Sequence, residues 1–205
     1  WQPAVWPLPA GNVIVQPRNR GTANGILLAT LAILHQDPLA NIVFLPSDHY
    51  VENEELLAAD LRRAALHTAQ GRSELLLLGI VPDEADAELG YIVPGVALGD
   101  GHYQVRRFVE KPRIDIARQL IAAGGVWNSF IFCARANNLL AQFRLEHAAI
   151  VEDMATALCR DQAQPGCADA LSELYDRLPE LDLSRQVFEK IAQRLTVRTV
   201  PRCGW

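Results

Sequence analysis

Three short polar sequences could do phosphate and metal chemistry, and each follows a short apolar run. They are QPRNRGTA at 16–23, PSDH at 46–49 and EKP at 110–112. In an open α/β sheet, ligands bind outside the carboxyl ends of the parallel strands. The three sequences are therefore candidates for one shared site, provided that the apolar runs before them are strands of one sheet.

Taken singly, each sequence also fits an ordinary structural role. A Gly-Thr pair that opens a helix offers free backbone N–H groups to a phosphate or a base edge, but such turns are common. Asp48 alone favours a helix cap or an exposed loop carboxylate. Glu110 and Lys111 alone favour a solvated ion pair at the end of a hairpin.

The elements that must position these residues alternate between strands and helices. Apolar runs predict strands over 13–17, 41–46 and 74–81, and helical spacing predicts helices over 22–36 and 52–71. This alternation is typical of a parallel sheet with crossover helices. The third run is almost continuously apolar, which predicts a strand that is covered on both faces.

Helix caps and the second half of the chain complete the predicted architecture. Thr22 and Asn53 are the predicted N-caps of the two helices, and Gly71 is expected to close the second. Further elements are a hairpin with a GDGH turn, a short helix, a strand, a mostly helical segment and a closing strand, predicted at 91–112, 115–125, 127–134, 136–193 and 194–201. We expect one α/β domain over 1–205, with a mixed, mainly parallel sheet flanked by helices.

The composition of the chain disfavours several classes of function. The chain has 205 residues, a formal net charge of −5 and no basic run, which disfavours binding to nucleic acids or anionic membranes. No apolar stretch approaches the roughly 20 residues of a membrane-spanning helix. The four cysteines lack metal-binding spacings, so we interpret them as reduced thiols in a cytoplasmic protein.

Five sequences, taken in order and approximate spacing, resemble the sugar-phosphate nucleotidyltransferases, and most closely the bacterial mannose-1-phosphate guanylyltransferase family. They are QPRNRGTANGILLA, LPSDHYV, LLLLGIVPDEADAELGYIVPG, FVEKP and WNSFIFCA. The closing SRQVFEKIAQRLTVRTVPRCGW is similar to a family segment too, so the resemblance runs from about Val13 to Trp205. It implies the Rossmann-like nucleotide-diphospho-sugar transferase fold, with an inserted hairpin and a helical segment.

The resemblance also implies a role for each matching residue. The nucleotide-binding turn, which is expected to contact guanine and ribose, comprises Pro17, Asn19, Arg20, Gly21, Thr22 and Ala23. Asp48 is expected to bind the catalytic Mg²⁺. The expected sugar-phosphate site comprises Gly90, Tyr91, Glu110, Lys111, Asn128 and Ser129. Within it, Glu110 accepts from sugar hydroxyls and Lys111 meets the phosphate.

The implied reaction is the transfer of GMP from GTP to mannose 1-phosphate, which gives GDP-mannose and pyrophosphate. Two anions must approach each other, so the site needs Mg²⁺ and a local cation. A hard carboxylate such as Asp48 suits Mg²⁺, and the compact charge of Lys111 suits a phosphate. His49 is expected to make a structural hydrogen bond, because a phosphate nucleophile is already ionised.

Two features of the resembled family are not found in the sequence, and several alternatives stay open. The glycine-rich triphosphate loop is not found, and a second metal-binding aspartate is expected just beyond Trp205. We therefore expect a chain that is incomplete at both ends and that binds Mg²⁺ weakly by itself. The alternatives are thymidylyl or uridylyl transfer to glucose 1-phosphate, or a non-catalytic nucleotide-sugar-binding subunit. The helical part after residue 136 could support a homodimer.

Overall fold

Strands and helices alternate in the first half of the computed structural model, which describes residues 9, 12–163 and 169–205. The helices are α1 (Gly21–Gln36), α2 (Glu54–Ala69), α3 (Ile114–Ala122), α4 (Ala136–Ala163) and α5 (Ala170–Arg177). The strands are β1 (Asn41–Phe44), β2 (Leu75–Ile80), β3 (Tyr91–Gly99), β4 (His102–Val109), β5 (Val126–Arg135) and β6 (Thr196–Val200).

The six strands form one mixed sheet in the order β1-β5-β2-β6-β4-β3, with β3 also paired to β5. The prediction of a mainly parallel sheet is wrong for neighbouring strands, because among the described residues only β2 and β6 pair in parallel. The physical reason is that β5 lies antiparallel between β1 and β2, and β4 lies antiparallel between β6 and β3. Strands β1, β2, β3 and β6 still run in one direction, so their carboxyl ends face the same way.

The predicted first strand, 13–17, is not a strand in the structure. Residues 13–16 have no regular secondary structure, and Val15 is 73% exposed. A strand needs a partner for its backbone N–H and C=O groups, and among the described residues no strand pairs with this segment. The apolar pattern was therefore misleading there.

Helices cover both faces of the sheet, as predicted. On one face, Leu75 and Leu77 of β2 join a core with α1, α4 and α5. On the other face, Leu76 and Leu78 join a core with α2 and α3. Every residue of β2 is buried, which confirms the prediction from its continuous apolar run.

The predicted cap of α2 is confirmed and that of α1 is wrong. Asn53 Oδ1 accepts a hydrogen bond from the Leu56 N–H at 3.0 Å, and Gly71 follows α2 with a φ of +71°. By contrast, Arg20 is the N-cap residue of α1, with no side-chain cap bond. The Thr22 hydroxyl accepts from the Leu183 N–H instead, so a tertiary contact has replaced the local one.

The mostly helical second half differs from the prediction near its end. Helix α4 has a non-helical residue at His147. The end of the segment predicted to be mostly helical, 136–193, forms a π-turn (Ser184–Phe188) followed by a 3₁₀ turn (Ala192–Arg194). None of the helices in the described part of the chain is long and apolar enough to span a membrane. The hairpin between β3 and β4 forms as predicted, with a left-handed backbone from Gly99 to Gly101.

Candidate functional site

A cavity of about 720 Å³ opens where β1 ends and α1 begins. Thr22 and Gly25 line one side, the segment from Phe44 to His49 lines another, and Phe130 contributes from β5. Two of the three polar sequences, QPRNRGTA and PSDH, therefore meet in one cavity. For PSDH, which follows β1, this is the position that the carboxyl-end rule predicts, whereas QPRNRGTA follows no strand.

Asp48 presents its carboxylate to this cavity. The residue is exposed, and no side chain or backbone group in the described ranges makes a hydrogen bond or an ion pair with its carboxylate. The cap of the following helix is Asn53 rather than Asp48. The structural interpretation of Asp48 as a helix cap is therefore wrong, and its carboxylate remains available to a ligand.

The neighbouring His49 has a structural role. Its Nδ1 accepts a hydrogen bond from the Trp205 indole N–H at 2.9 Å, and the two rings meet edge to face at 5.0 Å. Burial lowers the pKa of His49, and the charge of Asp48 only partly opposes this, so the ring is neutral at neutral pH. The backbone pairs of Glu52 with Gly204 and of Asn53 with Cys203 hold the segment after β6 beside Asp48.

Hydrogen bonds and burial fix the conformation of the predicted nucleotide-binding turn, Pro17–Ala23. The Gly21 N–H donates to Asn19 Oδ1 at 3.0 Å, and Ala23 is fully buried. The Arg20 guanidinium donates to the backbone carbonyls of Tyr175 and Asp176 at 2.7 and 2.8 Å. The Arg20 side chain therefore anchors α5, while the resemblance assigns Arg20 to the nucleotide-binding turn.

Residues 181–184 form a connecting segment that pairs with this turn. The Leu181 N–H donates to the Arg20 carbonyl, and the Ala23 N–H donates to the Leu181 carbonyl, both at 3.0 Å. The Leu183 N–H donates to the Thr22 hydroxyl at 3.0 Å. Two elements that lie about 160 residues apart in the sequence are thus locked together.

The connecting segment also reaches the predicted sugar-phosphate residues. The Ser184 hydroxyl accepts from Asn128 Nδ2 at 3.3 Å, and the Asn128 N–H donates to the Gly90 carbonyl at 2.8 Å. A Cβ atom on Gly90 would overlap a carboxylate oxygen of Glu110 and lie 3.2 Å from the Cβ of Asn128. The structure therefore brings Gly90, Glu110 and Asn128 together, and sequence reasoning missed Ser184.

Glu110 is the residue of this cluster whose carboxylate is buried and whose pKa is shifted. Its Oε2 is buried and has no hydrogen-bond partner among the described residues. Burial, and then the negative charge of Asp182, raise the pKa of Glu110 to about 6. A buried acceptor without a donor is costly, and a bound hydroxyl would relieve that cost.

Two other predicted residues, Tyr91 and Ser129, turn their side chains into the interior. The Tyr91 hydroxyl donates to the Asp86 carbonyl at 2.8 Å and accepts from the Trp127 indole N–H at 3.2 Å. The Ser129 hydroxyl donates to the Leu78 carbonyl at 2.6 Å. Both residues are fully buried, so neither presents its side chain to a ligand.

Lys111 and Phe130 both have left-handed backbone conformations, with φ values of +47° and +57°. Such conformations are strained for residues other than glycine, and they cluster at functional sites. The Lys111 ammonium is exposed and lies 3.3 Å from a Glu88 carboxylate oxygen. Phe130 lines the cavity, and its N–H is held by Asn128 Oδ1 at 3.2 Å. The sequence pointed to Lys111 and gave no signal for Phe130.

The residues of this site could hold a metal ion only together with a bound substrate that supplies further oxygen ligands. Across the described ranges there is no group of three or more His, Cys, Asp or Glu residues that could hold a metal ion. Mg²⁺ is commonly bound by one or two carboxylates together with substrate phosphates. The single free carboxylate of Asp48, at a cavity edge, fits that mode of binding.

Comparison with known proteins places the fold and the sequence in one family. Residues 9–171 match the family described as Nucleotidyl transferase. The chain is 34% identical over 197 residues to the mannose-1-phosphate guanylyltransferase of Klebsiella pneumoniae, and 33% identical over 197 residues to that of Escherichia coli. These alignments cover 92% of this chain, which spans only 40% of the length of either relative.

Two solved structures resemble the chain. One is a Thermus thermophilus protein described as mannose-1-phosphate geranyltransferase, with a TM-score of 0.76 and 28% identity. The alignment covers 92% of this chain and 52% of that protein. A Helicobacter pylori protein described as mannose-6-phosphate isomerase has a TM-score of 0.72 at 20% identity, covering 89% of this chain and 69% of that one, and it shows the shared fold alone.

The pairing of the turn with the connecting segment predicts an unequal effect of two glycine substitutions. Gly21 and Gly71 both have positive φ, so alanine at either position costs about 1–2 kcal/mol of backbone strain. At Gly21 a Cβ atom would also overlap the Leu181 carbonyl, whereas Gly71 has open space. In urea denaturation, we expect Gly21→Ala to lose clearly more stability than the control Gly71→Ala. Equal losses would contradict the close contact.

The raised pKa of Glu110 predicts a pH dependence of stability. Between its ordinary value of 4.5 and about 6, the folded state holds a proton that the unfolded state has lost. Stability should therefore fall as pH rises through this window, and Glu110→Gln should remove that part of the slope. Urea midpoints measured from pH 4 to pH 7 would test this. The exposed control Glu84→Gln should keep the slope, and an unchanged slope in Glu110→Gln would refute the prediction.

Proposed function

The chain belongs to the nucleotidyl transferase family, and from that premise we propose that the protein transfers GMP from GTP to mannose 1-phosphate, with GDP-mannose and pyrophosphate as products. The observation that carries the proposal is the junction of two half-sites. The cavity with Thr22 and Asp48 adjoins the cluster of Gly90, Glu110 and Asn128 through the connecting segment. The names of the curated relatives support this choice of base and sugar.

The reaction would need no nucleophilic side chain. A phosphate oxygen of mannose 1-phosphate attacks the α-phosphorus of GTP, and a new P–O bond forms while the bond to pyrophosphate breaks. Pyrophosphate leaves with the electron pair of that bond. The protein has to hold two anions in line and to offset their charges, which is mainly positioning and electrostatic work.

We assign the nucleotide to the cavity beside α1. The backbone of the turn from Pro17 to Ala23 would contact the base and ribose. The phosphates would lie toward Asp48, because the first-turn N–H groups of Gly21 and Ala23 already donate to Asn19 and Leu181. Asp48 and the substrate phosphates would together hold Mg²⁺, which when bound neutralises charge on the phosphates. GTP is plentiful in the cytoplasm, and a cytoplasmic location belongs to the same proposal.

The sugar phosphate would occupy the other half-site. The unpartnered Oε2 of Glu110 would accept hydrogen bonds from hexose hydroxyls, and Asn128 would close the pocket beside Gly90. Because its pKa is about 6, Glu110 is mostly ionised above neutral pH and is a strong acceptor there. The Lys111 ammonium would leave Glu88 to meet the sugar-phosphate oxygens.

The role of Asp48 predicts a specific loss of activity. In a pyrophosphate-release assay on the full-length protein with GTP, mannose 1-phosphate and Mg²⁺, Asp48→Asn should lower kcat by on the order of a hundredfold or more. The exposed control Asp83→Asn should keep full activity, since no described group binds its side chain. Full activity in Asp48→Asn would contradict the assigned role.

The same assay separates the alternatives. Turnover with UTP or dTTP and glucose 1-phosphate in preference to GTP and mannose 1-phosphate would identify another sugar-nucleotide pyrophosphorylase. An absence of turnover with every nucleotide and hexose 1-phosphate, while calorimetry still detects nucleotide-sugar binding, would identify a non-catalytic binding subunit.

A further inference from the structure

A second polar cavity, of about 420 Å³, lies at the carboxyl-terminal end of α2. Its walls come from the last turns of α2, the β3–β4 hairpin and β6. They are formed by Arg63, Leu66, His67, Gln70, Arg72, Asp100, His102 and Arg198. None of these residues lines the cavity at Asp48. Helix α2 begins beside the Asp48 segment, and at 1.5 Å per residue His67 lies roughly 20 Å farther along it.

His102 lines this second cavity and carries a buried polar atom without a partner among the described residues. The residue is only 4% exposed, and its Nε2 has no hydrogen-bond partner among the described residues. Its Nδ1 lies 3.2 Å from the Gly99 carbonyl, which can only accept, so Nδ1 carries the proton. Burial, and then the charge of Arg198, lower the pKa of His102, so the ring is neutral and Nε2 is an acceptor.

The orientation of His102 is fixed by its neighbours. The ring of His67 stacks on it with centroids 4.0 Å apart and 19° between the planes. His67 is itself held by Ser73, whose hydroxyl lies 2.9 Å from His67 Nε2. The unpaired Nε2 of His102 is thus a preorganised acceptor, and leaving it buried without a donor has a free-energy cost.

The cavity walls carry an excess of positive charge. Arg198 is buried, and its Nε binds Asp60 Oδ1 at 2.8 Å, while Arg63 binds the same oxygen at 3.1 Å. Arg72 has no ion pair within the described part of the chain, and Asp100 is the other carboxylate. Three guanidinium groups therefore face two carboxylates, which leaves one net positive charge. That balance suits an anionic group.

We propose that this second cavity binds a small phosphorylated compound that carries a free hydroxyl group. The phosphate lies against Arg63 and Arg72. A local movement of the cavity wall uncovers His102 Nε2, and the hydroxyl donates to it. A planar guanidinium group is well suited to phosphate oxygens. The volume lies near the lower end of the about 300–1,000 Å³ that is usual for ligand cavities, which favours a ligand smaller than a nucleotide.

Calorimetry on the full-length protein with three probes tests this proposal: glycerol 3-phosphate, inorganic phosphate and glycerol. Glycerol 3-phosphate should bind more tightly than inorganic phosphate, because only it adds a hydroxyl for His102, and glycerol alone should not bind. Arg72→Gln should weaken the binding of glycerol 3-phosphate about tenfold, the usual worth of one charge-assisted hydrogen bond. Arg72 is exposed and makes no described ion pair, so this variant should fold normally.

Two control variants make the result specific. Arg118→Gln removes an exposed arginine on α3 and should leave the binding of glycerol 3-phosphate unchanged. Lys111→Gln removes the cation of the first site and should also leave it unchanged, which separates this proposal from the proposed function.

Three results would overturn the proposal. One is a loss of glycerol 3-phosphate binding in Lys111→Gln with no change in Arg72→Gln, because the probe would then occupy the first site. Another is equal affinity for glycerol 3-phosphate and inorganic phosphate. The third is no binding at millimolar concentrations, as would happen if another part of the full-length protein covered this cavity.

Discussion

The site depends on the pairing between the turn at Pro17–Ala23 and the connecting segment at 181–184. The backbone bonds between Arg20, Ala23 and Leu181 fix the turn, and the Thr22 hydroxyl fixes Leu183. One residue later, Ser184 holds Asn128. The proposed nucleotide site and the proposed sugar site come from distant parts of the chain, and these contacts fix the distance between them. Reactions between two bound anions need such positioning.

Close backbone approach is the means by which these contacts are made. Gly21 leaves room for the Leu181 carbonyl, and Gly90 leaves room for the Glu110 carboxylate. A side chain at Gly21 would push the turn away from the connecting segment, and one at Gly90 would displace the Glu110 carboxylate. The arrangement has a free-energy cost at three nearby residues. Lys111 and Phe130 have a left-handed backbone, and Glu110 has an oxygen without a hydrogen-bond partner among the described residues. Strain of this kind is sustained only where the surrounding structure is rigid.

Local sequence signals predicted the elements that depend on local physics. The apolar run of β2 and the Asn53 cap of α2 are confirmed, since burial and capping are readable from nearby residues. Thr22 and Asp48 line one cavity as expected, although the apolar run before Thr22 is not a strand. The roles of individual site residues came from resemblance to a family, and they stay predictions.

Long-range pairing could not be predicted from the sequence. The antiparallel insertion of β5 between β1 and β2 has no local signature, so the mainly parallel sheet was wrongly expected. Thr22 looked like a helix cap because its true partner, Leu183, is distant in the sequence. Ser184 was missed for the same reason, because its partner Asn128 is distant in the sequence. The sequence WNSF contains no signal for the positive φ of Phe130.

The most direct measurement is a crystal structure of the full-length protein with GDP-mannose and Mg²⁺. We expect the guanosine against the turn at Pro17–Ala23, the metal at Asp48 and the hexose beside Gly90, Glu110 and Asn128. The connecting segment should still join the two halves through Thr22 and Ser184. GDP-mannose bound away from Asp48, or a hexose that makes no contact with Glu110 or Asn128, would contradict the proposed site.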